Sequence, residues 1–120
     1  MQPKRNYVLL IASGLVALVL LAAGGAKLAG VPQVHQSFAI LGLPGWFGYF
    51  IGTCEIAGAI GIFIRPLGAL AAAGIAVIML GALYFHVSHT PLAQGIPALV
   101  VLLLSVYIFF KRRGSLFAFK

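Results

Sequence analysis

The chain is 120 residues long, 62% hydrophobic and only 8% charged, with one acidic side chain against eight lysines and arginines. Soluble domains carry about 25% charged residues, and so few charges cannot give a globule of 12.6 kDa its polar surface. A water-soluble fold is thereby excluded. A Ser-His-Asp triad and an intramolecular disulfide are excluded as well, because the chain has no aspartate and a single cysteine.

With a mean hydropathy of +1.14, the chain reads as an integral membrane protein whose partner is the lipid bilayer. Its net charge of +7 does not point to nucleic acid. Almost all of the bases Lys4, Arg5, Lys27, Arg65, Lys111, Arg112, Arg113 and Lys120 fall at the borders of apolar runs, where lipid headgroups lie. No basic patch interleaved with stacking aromatics is present.

A bilayer core needs about 20 apolar residues per helix, and four such runs predict an all-α transmembrane four-helix bundle over residues 1–120, a single domain. The first span covers residues 7–28. Residues 1–26 resemble a cleaved signal peptide only in their small-residue end, "LLAAGGA". The apolar stretch exceeds a signal core, and cleavage would leave an odd number of spans.

Next comes the one long connection, "AGVPQVHQSFAILGLPGW". Val31, Val34, Phe38 and Leu41 recur at helical spacing, Pro32 can open a helix and Gly42 can close it. The pattern predicts a short amphipathic segment at the interface, with a plain loop as the alternative.

The second span covers residues 46–64 and the third 67–87, parted by Arg65-Pro66. Residues 92–110 make the fourth, with Thr90-Pro91 read as its N-cap and first helical position. Ala71, Gly74, Ile78, Gly81 and Ser88 trace a mostly small stripe, as do the pairs Gly48/Gly52 and Ala57/Gly61. Small residues let helices approach closely within a bundle or between copies, so a homo-oligomer is open.

Four spans put both termini on one side. Seven bases then share that side and Lys27 alone lies opposite, which predicts an N-in, C-in protein of the inner (plasma) membrane. Trp46, Tyr49 and Tyr84 fall at the outer boundary, where amphipathic rings are favoured.

Glu55, in "IGTCEIAGAIG", is the only acid and lies ten residues from Arg65, about 15 Å above the inner boundary and near the midplane. An ionised carboxylate there costs about 3 kcal/mol by insertion scales. It must face the bundle interior, pair with another group or stay protonated. Lys27, His86, His89, His35 and Gln33 are the polar groups on the outer side. Counting residues places Lys27 and His86 roughly 30 Å above the inner boundary, so contact with Glu55 requires tilted helices or a long side chain reaching inward. A polar pocket opening outward and centred on Glu55 fits this count better than one tight cluster. Glu55 and His86 are its candidate catalytic groups, and Lys27, His86, Tyr49, Trp46 and His89 its candidate ligand-binding groups. His35 reads as a headgroup neighbour and Cys54 as a packing residue. His86, His89 and Glu55 stand at differing depths and match no metal geometry, so no metal is expected.

The run "GGAKLAGVPQVHQSFAILGLPGWFGYFIGTCEIAGAIGIF", followed by "IMLGALYFH" and "KRR", resembles the DoxX-like family of small four-helix membrane proteins over roughly residues 20–113. Gly24 to Leu28, Gly30-Val31-Pro32 and Leu41-Gly42-Leu43-Pro44 carry the resemblance. Glu55 with Gly58-Ala59, and Met79 with Gly81-Ala82 and His86, complete it. The resemblance implies a functional lysine, glutamate and histidine at Lys27, Glu55 and His86, and an association with oxidoreductase and quinone chemistry. Cys54 alone cannot form a dithiol relay, so redox chemistry would come from a bound quinone or a membrane oxidoreductase partner. Three classes stay open: a redox-associated component binding a quinone-like or other lipophilic molecule, a small membrane enzyme such as an isomerase with Glu55 as general acid/base, and a non-catalytic assembly or stability factor.

Overall fold

The computed structural model describes residues 6–114. They form five α-helices: α1 (Tyr7–Leu28), α2 (Pro32–Ile40), α3 (Phe47–Gly61), α4 (Gly68–His89) and α5 (Ile96–Arg112). Short 3₁₀ turns, Arg65–Leu67 and Leu92–Gly95, lead into α4 and α5, and no strand occurs among the described residues. Lys4, Arg5 and Lys120, three of the bases counted toward orientation, lie outside the described residues.

Helix α1, α4 with its leading turn and α5 with its own are each long and apolar enough to cross a bilayer; α3 is apolar but shorter. The result is a four-helix membrane bundle. Its outward side chains are as oily as its core: Leu18, Val77, Val87 and Leu103 are each more than 60% exposed, while Val16, Leu20, Ile62, Ile75 and Ile108 fill the inside. In hydrocarbon no leucine needs hiding, so close packing rather than hydrophobic segregation selects the interior.

Local chemistry sets the helix ends. The Asn6 side-chain oxygen accepts the Leu9 N–H at 2.9 Å, satisfying one of the orphan donors of α1. Both α1 and α2 end in a glycine with positive φ, Gly30 at 78° and Gly42 at 77°. Val31 N–H reaches back to Ala26 O and Leu43 N–H to Phe38 O, the paired backbone bonds that close a helix on a left-handed residue. The connection between the first two spans is therefore helical rather than a plain loop. Pro32 stands in the first turn of α2, where no N–H is required.

Two boundaries differ most from the sequence reading. The second span ends at Gly61 rather than residue 64: the chain tightens into short-range bonds and Ile64 turns extended (φ −89°, ψ 118°) ahead of Pro66. Thr90 does not open the fourth span. It closes α4, with its hydroxyl donating to His86 O at 3.0 Å, and Pro97 stands in the first turn of α5.

Helices α1 and α3 form one extensive interface and α4 and α5 the other. The smallest residues lie at the close approaches. A methyl group on Gly24 would sit 2.9 Å from Gly52 O, and one on Gly61 3.3 Å from the Ala71 Cβ. Gly74 and Gly81 differ: nothing stands within 4 Å of where their Cβ atoms would be. The stripe on α4 is thus only partly a packing surface.

Candidate functional site

The contact between Gly24 and Gly52 fixes the level of α1 against α3. A Cβ on Gly52 would lie 2.8 Å from the Lys27 Cβ, so Lys27 stands level with Gly52, one turn from Glu55. Side chains on a helix lean toward its N-terminus. The two helices are antiparallel, so Lys27 leans down α1 toward Glu55 and Glu55 leans up α3 toward Lys27. Their charged ends meet: Lys27 Nζ is 2.9 Å from Glu55 Oε1, and the side chains are 12% and 2% exposed. Counting from the ends of the spans sets these residues far apart. The count assumes spans of equal length, whereas α3 has 15 residues and is about 22 Å long.

The backbone of Lys27 is held as tightly as its side chain. Its carbonyl accepts the Gly30 N–H at 3.1 Å and the His35 ring Nε2 at 2.8 Å. A carbonyl only accepts, so Nε2 of His35 carries the proton. The His35 ring stacks on Tyr49, with centroids 4.3 Å apart, and lies over Gly48, where a Cβ would collide with His35 Nδ1. One imidazole thus ties α2 to the end of α1 and the start of α3.

Beneath α2 lies a cavity of about 420 Å³. Val34, Phe38, Phe47, Ile51, Val77 and Phe85 give it apolar walls, and Lys27, Ser37 and His86 supply the polar groups. Pockets of this size and mixed lining hold small molecules in many proteins. Glu55 is not on its wall, whereas Lys27, its ion-pair partner, is. His86 is braced by Thr90, whose hydroxyl oxygen lies 3.0 Å from Nδ1. Among the described residues no group of three His, Cys, Asp or Glu side chains comes together to hold a metal ion.

The family model described as the DoxX-like family matches residues 11–108 of the chain. The chain belongs to the DoxX-like family. No curated protein and no solved structure matches it. The matched region contains the whole arrangement, from Lys27 through Glu55 to His86.

Of the residues expected at a site in this DoxX-like chain, Lys27 and His86 face the cavity and Glu55 backs it. Tyr49 is not on the cavity wall; its ring packs on His35, which is off the wall as well. Trp46 and His89 are not on the cavity wall: Trp46 is exposed beside Phe47 and Phe50, and His89 stacks on Phe85 at 5.2 Å. His35, taken from sequence as a headgroup neighbour, is instead half-buried and bonded to the pivotal lysine. The signal for it was present: a helix end leaves carbonyls that need donors, and Gly48 is a gap wide enough for a ring.

Proposed function

We propose that this DoxX-like protein is a redox-associated membrane component that binds a quinone-like or other lipophilic molecule in the cavity beneath α2. The observation that carries this reading is a fixed cation on a mostly apolar wall: Lys27, facing the cavity and held by the buried Glu55. An ammonium so placed donates to a carbonyl or hydroxyl oxygen of a polar head, and His86 offers a second polar contact. Electrons would be exchanged with a partner oxidoreductase, since Cys54 is the only cysteine. In this reading the protein sits in the inner (plasma) membrane with both termini cytoplasmic. Arg65, Lys111, Arg112 and Arg113 gather at one end of the bundle, where Arg112 packs on Gly68, and Lys27 belongs to the other, which supports that orientation.

The 2.9 Å contact between Lys27 and Glu55 also favours a second reading, in which the pair locks α1 to α3 and no ligand is bound. General acid/base catalysis by Glu55 has less support, because Glu55 is not on the cavity wall and its carboxylate is paired with Lys27.

Purification in mild detergent, followed by an absorption spectrum and native mass spectrometry, tests the proposal on the wild type beside Glu55→Gln. A bound lipophile in the wild type, lost from a folded variant, is the expected result. Two empty bundles that also fail to bind added quinone would overturn it in favour of the lock.

A further inference from the structure

A second hollow, a shallow groove of about 610 Å³, runs between α3 and α4. Its lining is apolar, and it shares Ile51, Val77 and Ile78 with the cavity beneath α2. The two hollows therefore adjoin across one wall. Where the first has Lys27, Ser37 and His86, the groove has none of the charged or strongly polar side chains. Gly58, Gly61 and Gly74 keep it open. Gly74 does so without serving any helix contact, since nothing lies within 4 Å of a Cβ placed there. One end of this paired space is suited to a polar head and the other to hydrocarbon.

We propose that the groove holds the hydrocarbon tail of the amphiphile whose head occupies the cavity beneath α2. The ligand class is then a long-chain or isoprenoid lipid rather than a compact lipophile, and it enters sideways from the bilayer. This rests on the head-binding reading above for the identity of the head. The groove adjoins the cavity along Ile51, Val77 and Ile78, and that adjacency is what names the tail as its occupant. Dispersion against the small-residue floor holds the chain, because hydrocarbon leaving lipid for the groove gains no hydrophobic free energy.

Cys54 lines the groove and is the chain's only cysteine, which makes it a built-in reporter. The experiment measures its modification by a membrane-permeant maleimide in detergent, with and without a decyl-substituted dimethoxy-methyl-benzoquinone or the same quinone without a tail. Three proteins are compared: wild type, Gly74→Leu and Lys27→Gln. The expected result is that the decyl quinone slows labelling of the wild type by about tenfold, ~1.4 kcal/mol of occupancy, and the tailless quinone does not. Gly74→Leu, which fills the groove from an open position, abolishes that shielding. Shielding lost in both variants upholds head and tail together. Shielding lost in Gly74→Leu but kept in Lys27→Gln upholds the tail groove and removes the head reading. Shielding that persists in Gly74→Leu, or none in the wild type, overturns the groove proposal; direct binding of the tailless quinone to wild type then decides the head reading separately. A Cys54 that is shielded without quinone and exposed on dilution to monomer assigns the groove to a second copy of the chain and overturns the proposal too.

Discussion

Gly24 and Gly52 touch backbone to backbone, and that contact brings Lys27 to Glu55. A methyl group on Gly52 would meet Lys27 Cβ at 2.8 Å and Gly24 O at 3.1 Å. Neither is the free end of a flexible chain, so α1 and α3 must separate to admit it. Gly52→Ala is expected to lower bundle stability by about 1–3 kcal/mol, the usual cost of overpacking a well-packed interior.

Gly74→Ala is the matching control, with the opposite sign. Space is open there, and alanine is the better helix former by about 0.5–1 kcal/mol. Thermal unfolding of both variants in one detergent checks the pair. Equal destabilisation would mean that the α4 stripe packs as tightly as the α1–α3 contact.

The ion pair predicts a pattern across three variants. Lys27→Met leaves Glu55 without its cation at a position 2% exposed, and removing one partner of a buried pair costs about 3–5 kcal/mol. Glu55→Gln should cost less, because the freed lysine can extend toward the cavity it already lines. Replacing both, Lys27→Met with Glu55→Leu, should restore stability to near wild type, since two apolar groups need no partner. Chemical denaturation in detergent reads all three. A bundle that is stable in the double variant yet empty of ligand would show that the pair serves binding rather than folding.

His35 predicts a local effect. Its ring supplies one of two donors to Lys27 O and stacks on Tyr49. His35→Phe keeps the stack and loses the donor, a net cost of about 1 kcal/mol. Because no residue of α2 is fully buried, that loss should appear as faster hydrogen exchange over Pro32–Ile40 while α1 and α3 keep their protection. Unchanged exchange in α2 would mean that other contacts hold it.

The four spans and the helical connection were legible in the sequence, and Glu55 stood out there as a candidate, because each follows from composition or from a single residue. Apolar run length locates a span, Pro32 and Gly42 bracket α2, and one carboxylate in an oily segment needs an explanation. The Lys27–Glu55 contact was not legible. It depends on the length of α3 and on the level at which two glycines touch, and neither appears in a residue count. His35 escaped for a related reason: its partner is a main-chain carbonyl, so the signal lies in the end of α1 and in Gly48 rather than in a partner side chain. Thr90 misled because a threonine before a proline satisfies a helix start as well as a helix end. Here its hydroxyl turns back to His86.

Gly81 offers the sharpest test of the cavity. It is part of the wall beneath α2, and nothing lies within 4 Å of a Cβ placed there. Gly81→Leu therefore projects a side chain into the cavity without disturbing a helix contact or either charged residue. Replacing glycine also favours the helix, so the variant should unfold at the wild-type temperature or slightly above it. Any lipophile retained by the wild type should be lost, with quinone affinity reduced at least about tenfold, ~1.4 kcal/mol. The combination is diagnostic. A ligand site filled by a side chain loses binding while stability holds, whereas a void with no ligand shows only the gain in stability.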